Sequence, residues 1–161
     1  MACWPTRSLD ARIEGAPVQT WVLLHYKIPR EPTAPRVHVW RKLKRLGAIL
    51  LQDAVWVLPA TPRTREDFQW LATEIGEQGG EATLWEAQLA LPGQHEALVQ
   101  QFLAQVDAAY EAILAHLKRE DVDLAALARR YQQVQGHDYF HSEVGQQVRE
   151  ALLLAGGAPH A

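Results

Sequence analysis

The chain predicts a mixed α+β fold: a ferredoxin-like βαββαβ sheet domain followed by a helical extension of about three helices. Three observations lead there. The 161 residues are 48% hydrophobic and 22% charged, which suits one globular domain with an appended unit. As far as Leu91, short apolar runs alternate with helical patterns in the order strand–helix–strand–strand–helix–strand. Beyond Leu91 only helical periodicity remains. The expected division is a disordered tail at 1–19, the sheet domain at 20–91, the helical extension packing on it at 92–155, and a tail at 156–161.

Residues 20–28 read as the first strand, with Val22, Leu24, Tyr26 and Ile28 on one face and Trp21 and Leu23 on the other, ended by Pro29. Two apolar faces predict a central position in the sheet. A Pro-rich loop leads to a helix at 34–46, stopped by Gly47. At 100° per residue Val39, Trp40, Leu43 and Leu46 form its apolar stripe, and His38, Arg41, Lys42 and Arg45 the opposite one. Residues 48–51 and 54–58 read as a tight hairpin around Gln52-Asp53. Thr61-Pro62 is a helix start, and Thr64 with Asp67 offers a second capping box. In that helix Phe68, Leu71, Ala72 and Ile75 face the core and Trp70 faces away. The last strand is expected at 82–91, with Thr83, Trp85, Ala87 and Leu89 on one face.

The extension reads as a long helix at 94–118 carrying Val99, Phe102, Leu103, Val106, Tyr110, Ile113 and Leu117. Asp121 or Asp123 caps a second helix bearing Leu124, Leu127, Ala128, Tyr131 and Val134, and a third runs from about 142 to 155 with Val144, Val148 and Leu152.

Several classes of protein are excluded at this level. The single cysteine, Cys3, permits neither a disulfide framework nor a cysteine zinc cluster. No apolar run approaches the ~20 residues of a membrane span. The first 19 residues carry Arg7, Asp10, Arg12 and Glu14 and lack an apolar run, so a polar tail is expected there and a cytoplasmic protein. There is no Gly-x-Ser-x-Gly, no phosphate-binding Gly-rich loop, no His-Glu-x-x-His and no flavin or nicotinamide signature, so no cofactor is expected.

The net charge of −3 conceals a division. Residues 20–65 hold nine bases against Glu31 and Asp53, whereas 66–161 hold five bases and fifteen acids. Two faces with different partners would produce this, and so would opposite charges meeting within the fold or between subunits. Arg36, His38, Arg41, Lys42, Lys44 and Arg45 fall within ten residues and are candidates for phosphate or oxyanion contact, with Arg36 and Arg41 as bidentate donors. A solvated basic face is the plainer reading of the same helix. His137, Asp138 and His141 have spacing that would hold a metal if the stretch were helical, yet third and fourth ligands are not evident, and such residues more often turn a corner. Trp21, Trp40, Trp56 and Trp85 are expected in core or sheet-face positions. Trp70 is the candidate for a protein contact.

Short matches in a fixed order add a family. Trp21-Val-Leu-Leu before Ile28-Pro29, then Arg36-x-x-x-Trp40-Arg41-x-Leu43-x-x-x-Gly47-Ala48, then Leu51-x-Asp53-x-Val55-Trp56-x-Leu58-Pro59, resemble the N-terminal domain of the chromate-resistance regulators called ChrB. Tyr131-x-x-Val134 leading into Asp138-Tyr139-Phe140 is similar too, so the resemblance spans about 20–155. One departure is Asp53-Ala54-Val55-Trp56, where Asp-Gly-Val-Tyr is expected, and it affects the turn type.

The resemblance implies chromate-responsive transcriptional control. The basic helix makes DNA, chromate or another oxyanion the expected ligand, and a homodimer, which would double that basic surface, the expected form. Full-length members carry a further C-terminal domain, which implies a stand-alone form or docking of a separately encoded C-terminal-domain protein. The family's sheet domain is similar to those of PaaX-type repressors and of the small CRISPR-associated nuclease. That nuclease needs an Asp at the end of the first strand, where this chain has His25-Tyr26-Lys27-Ile28 and no acid before Glu31, so nuclease chemistry is disfavoured. A lone tail cysteine likewise disfavours a chromate reductase. The expected function is a non-enzymatic regulatory module acting through the basic helix. The alternatives are a partner-docking module and, more weakly, a metal-dependent hydrolase at His137, Asp138 and His141.

Overall fold

A computed structural model describes residues 19–156. The expected tails lie outside the described residues apart from Gln19 and Gly156, and so do Cys3 and His160. The described residues form four strands and five helices: β1 (Trp21–Lys27), α1 (Thr33–Arg45), β2 (Ile49–Leu51), β3 (Val55–Pro59), α2 (Pro62–Glu77), β4 (Glu81–Ala87), α3 (Gln94–Leu117), α4 (Leu124–Gln135) and α5 (Glu143–Gly156). The sheet is antiparallel, in the order β2-β3-β1-β4, so β1 is central as its two apolar faces predict.

Register assigns the faces. Val22 pairs with Leu58 and Glu86, and Leu24 pairs with Trp56 and Leu84, so these six share one face. Both sheet-domain helices lie over that face. Lys44 of α1 stands 5.9 Å over the Trp56 ring, and Arg65 of α2 reaches Glu86 at 2.5 Å. Val22, Leu24, Trp56 and Leu58 are accordingly buried with Val39, Leu43, Phe68, Leu71 and Ile75.

The hairpin turns through Gln52 and Asp53, both at positive φ, with the Ala54 N–H donating to Leu51 C=O. Positive φ at both central residues is the type I′ requirement, met here without glycine. The α2 cap differs from one expected box. Thr61 and Thr64 cap each other reciprocally, and the buried Thr64 hydroxyl donates to Pro59 C=O at 2.6 Å, so Thr64 is committed backwards and forms no box with Asp67. The last strand also stops earlier than expected. Ala87 pairs with Trp21, the first residue of β1, and beyond it residues 88–91 have no strand to pair with.

Two of the four tryptophans expected at core or sheet-face positions are exposed. Trp40 is 50% exposed because it rides the edge of the α1 apolar stripe, 100° from Val39. Trp85 is 57% exposed because β4 is an edge strand and turns it to the sheet face opposite α1 and α2. Trp21 and Trp56 are buried.

The three C-terminal helices pack on one another around Val106, Tyr110, Ile113, Val134 and Val148. They meet the sheet at its Trp21 end. There the Trp21 ring stacks on Phe102 of α3 (centroids 5.6 Å apart, planes 17° apart) and tilts against Phe140 at 5.9 Å. Each such aromatic pair contributes about 0.5–1.5 kcal/mol beyond its area burial. Phe102→Ala is expected to lower the unfolding free energy by about 3–5 kcal/mol, read from urea denaturation. A loss below about 1 kcal/mol would mean that the α3 contact contributes little.

Candidate functional site

The six basic candidates all lie on or at the border of α1, yet tertiary packing divides them three ways. His38 and Lys42 turn toward α2, where both reach Glu74: Nε2 of His38 lies 3.2 Å from Oε2, and Lys42 Nζ donates to Oε1. The Lys42 ammonium is the main reason that the Glu74 carboxyl is held below its ordinary range. Arg41 and Arg45 are exposed, one turn apart, and have no ionic partner among the described residues. Arg36 and Lys44 lie on the third side with Trp40, and Lys44 Nζ stands 5.5 Å over the Trp40 ring.

The end of α1 is fixed by the helical unit. Ala48 N–H returns to Leu43 C=O and Gly47 N–H to Lys44 C=O, a Schellman closure with Gly47 at φ +75°. Two C=O groups just past the helix are met from outside: Tyr139 Oη donates to Leu46 C=O at 2.6 Å, and Gln105 Nε2 donates to Gly47 C=O at 3.0 Å. A Cβ on Gly47 would stand 3.0 Å from the His137 side chain, so glycine serves here both for its φ and for its bareness. Burial, aided by Asp67, pushes the Tyr139 phenol up to about 12, which keeps it a donor at all working pH.

His137, Asp138 and His141 do not meet the helical condition under which their spacing would hold a metal. The stretch is a turn between α4 and α5 rather than a helix, with His141 at φ +56°. His137 packs against Gly47, whereas Asp138 accepts from Tyr110 Oη at 2.9 Å and from Ser142 N–H at 3.1 Å. The Ser142 hydroxyl donates to Asp107 and accepts from Gly145 N–H, capping α5. Gly145 permits this because a Cβ there would meet the Tyr110 ring at 2.6 Å. Burial and the Asp138 carboxylate together push the Tyr110 phenol well up. Among the described residues no cluster of three or more His, Cys, Asp or Glu is arranged to hold a metal ion.

Trp70 is 65% exposed on α2, beside a hollow shared with Pro62, Arg65 and Gln69. Sequence periodicity missed a larger feature: a cleft of about 720 Å³ between the end of β1, the start of α1 and the hairpin. Its signal was the pairing of Trp40 with Arg36 one turn earlier.

The arrangement defines a class: a mixed α+β domain whose first helix is cationic on two of its exposed sides. Residues 36–126 match the family model for the N-terminal part of Protein ChrB, more than half of the 161 residues, and the chain belongs to that family. Protein ChrB of Cupriavidus metallidurans (strain CH34) is 26% identical over 167 aligned positions, covering 92% of this chain and 52% of the relative. The chain therefore spans about half the length of the curated relative it matches. No solved structure gives a significant match. No helix among the described residues is long and apolar enough to cross a membrane.

Burial, then the Arg130 charge, lowers the His137 pKa and so favours its neutral form in the fold. Its stabilising contribution is present above the unfolded histidine value of about 6.5 and is lost as pH falls below it toward the folded value. Glu74, also lowered, loses its contribution at still lower pH. Urea midpoints are expected to fall between pH 7.5 and 5.5, and His137→Gln is expected to flatten that fall. An unchanged slope in the variant would assign the fall to other groups.

Proposed function

We propose that this chain is a non-enzymatic regulatory module of chromate resistance that binds DNA, an oxyanion, or both, through the outward side of α1. The carrying observation is Arg41 and Arg45: adjacent, exposed and without an ionic partner among the described residues, whereas His38 and Lys42 are engaged by Glu74. Two guanidinium groups one turn apart match successive phosphates, and Arg36 and Lys44 extend the charge around the helix. Membership of the ChrB N-terminal family supports the regulatory assignment, and with it cytoplasmic operation. The βαββαβ order with strands in the order β2-β3-β1-β4 supports a ferredoxin-like reading of 20–91, with 92–155 as its packed extension. A homodimer would double the cationic surface along DNA.

The test is binding of the purified chain to DNA from upstream of its own coding region, by fluorescence anisotropy at two salt concentrations, with and without chromate. Arg41→Ala/Arg45→Ala is expected to weaken binding at least tenfold and to lower the salt slope by about two. Unchanged affinity for both DNA and chromate in that variant would sink the proposal.

A second reading, docking of a separately encoded ChrB C-terminal domain, is favoured by the exposure of Trp70. Light scattering of the chain mixed with such a domain is expected to show a complex that Trp70→Ala weakens. A chain that ignores the domain would remove this reading.

A further inference from the structure

We infer that the cleft beside α1 is a binding site for a nucleoside phosphate, with the base stacked on Trp40 and the phosphate held by Arg30 and Arg36. This goes beyond the α1 reading and uses a largely different set of residues, Arg36 and Lys44 being shared.

Size comes first. About 720 Å³ lies within the 300–1,000 Å³ range of sites for drug-sized ligands and far exceeds what one tetrahedral oxyanion fills. Wall chemistry narrows the class. Lys27, Arg30 and Arg36 line the cleft against one carboxylate, Asp53, so an anion is favoured. The same wall carries Trp40, half exposed, and the edge of the buried Trp56. A half-exposed indole beside two guanidinium groups is the combination that single nucleotides use: a ring face for the base and forked donors for the phosphate.

The site is also built rather than incidental. Lys44, outside the cleft wall, stands 5.5 Å over the Trp40 ring and 5.9 Å over that of Trp56, so one cation of α1 bridges the helix indole and the strand indole. Tyr26 also lines the cleft, and burial raises the pKa of its phenol against the smaller opposing effects of the Trp56 indole and the Arg36 guanidinium. Asp53 sits on the hairpin turn at φ +59° and gives the rim an acceptor suited to an exocyclic amino group of a base.

The ligand chemistry has two sources, a free nucleotide or an unpaired nucleotide within a nucleic acid, and the experiment separates them. Titration calorimetry of the full chain with AMP, ATP, inorganic phosphate and a short single-stranded oligonucleotide is the measurement. Either AMP and ATP, or the oligonucleotide, is expected to bind at least tenfold more tightly than phosphate. Binding by the mononucleotides assigns the free source, and binding by the oligonucleotide alone assigns the nucleic-acid source. Trp40→Ala and Arg30→Ala are each expected to weaken that binding about tenfold, in line with base–aromatic stacking. Trp40→Phe, which keeps a ring, is expected to restore most of it and so controls for misfolding. Trp40→Ala is expected to spare duplex binding, and Arg41→Ala/Arg45→Ala to weaken duplex binding while sparing any binding of AMP, so failure of the duplex-binding reading and failure of this one are distinguishable. Nucleotide affinity no greater than that of phosphate, or binding indifferent to Trp40→Ala, would overturn the assignment.

Discussion

The rest of the structure depends on how the C-terminal end of α1 is received. A helix leaves its last C=O groups without partners, and a helix end carrying Lys42, Lys44 and Arg45 brings three cations with it. The chain closes that end twice. Gly47 turns back locally, and Tyr139 and Gln105, 93 and 58 residues downstream, donate to the C=O groups of Leu46 and Gly47. Phe102 and Phe140, neighbours of those donors in sequence, pack on Trp21 at the same end of the sheet, the first stacked and the second tilted. One contact region therefore joins the halves of the chain and sets the rotation of α1, which decides where its cations point.

That rotation resolves the charge division between the halves into parts. Some of the basic excess is neutralised internally, because Glu74 of α2 takes both His38 and Lys42. What is left separates into an outward pair, Arg41 and Arg45, and a cleft side, Arg36 with Lys44 beside Trp40. The two sides face different environments. Outward guanidinium groups suit an extended polyanion, and cations beside an indole suit a small anion that carries a ring.

The His137–His141 stretch shows the same economy in a structural role. Asp138 accepts from Tyr110 and Ser142, Ser142 donates to Asp107 and caps α5, and Gly145 makes room for the Tyr110 ring. Each buried polar group in this network finds a partner, which removes the cost of about 1–3 kcal/mol that an orphaned one would carry. Residues whose spacing fits a metal are used instead to turn α4 into α5 and to hold both against α3.

Sequence alone determined the element types and their order, the central place of β1, the cap at Thr61, the choice of Asp121 or Asp123 as the α4 cap, and the cationic character of α1. These follow from local periodicity and capping chemistry, which act over three to eight residues. It also carried the family, through short matches spread along the chain. Tertiary structure alone decided which cations remain available, since the reach of Glu74 to Lys42 spans 32 residues and no local pattern encodes it. It decided as well that Trp40 and Trp85 stand exposed, because each lies at the border of an apolar stripe or on an edge strand, where the neighbouring element and not the residue sets burial. The cleft belongs to the same category: its walls come from three separate elements, and only their packing brings Arg30, Arg36, Trp40 and Asp53 to one place.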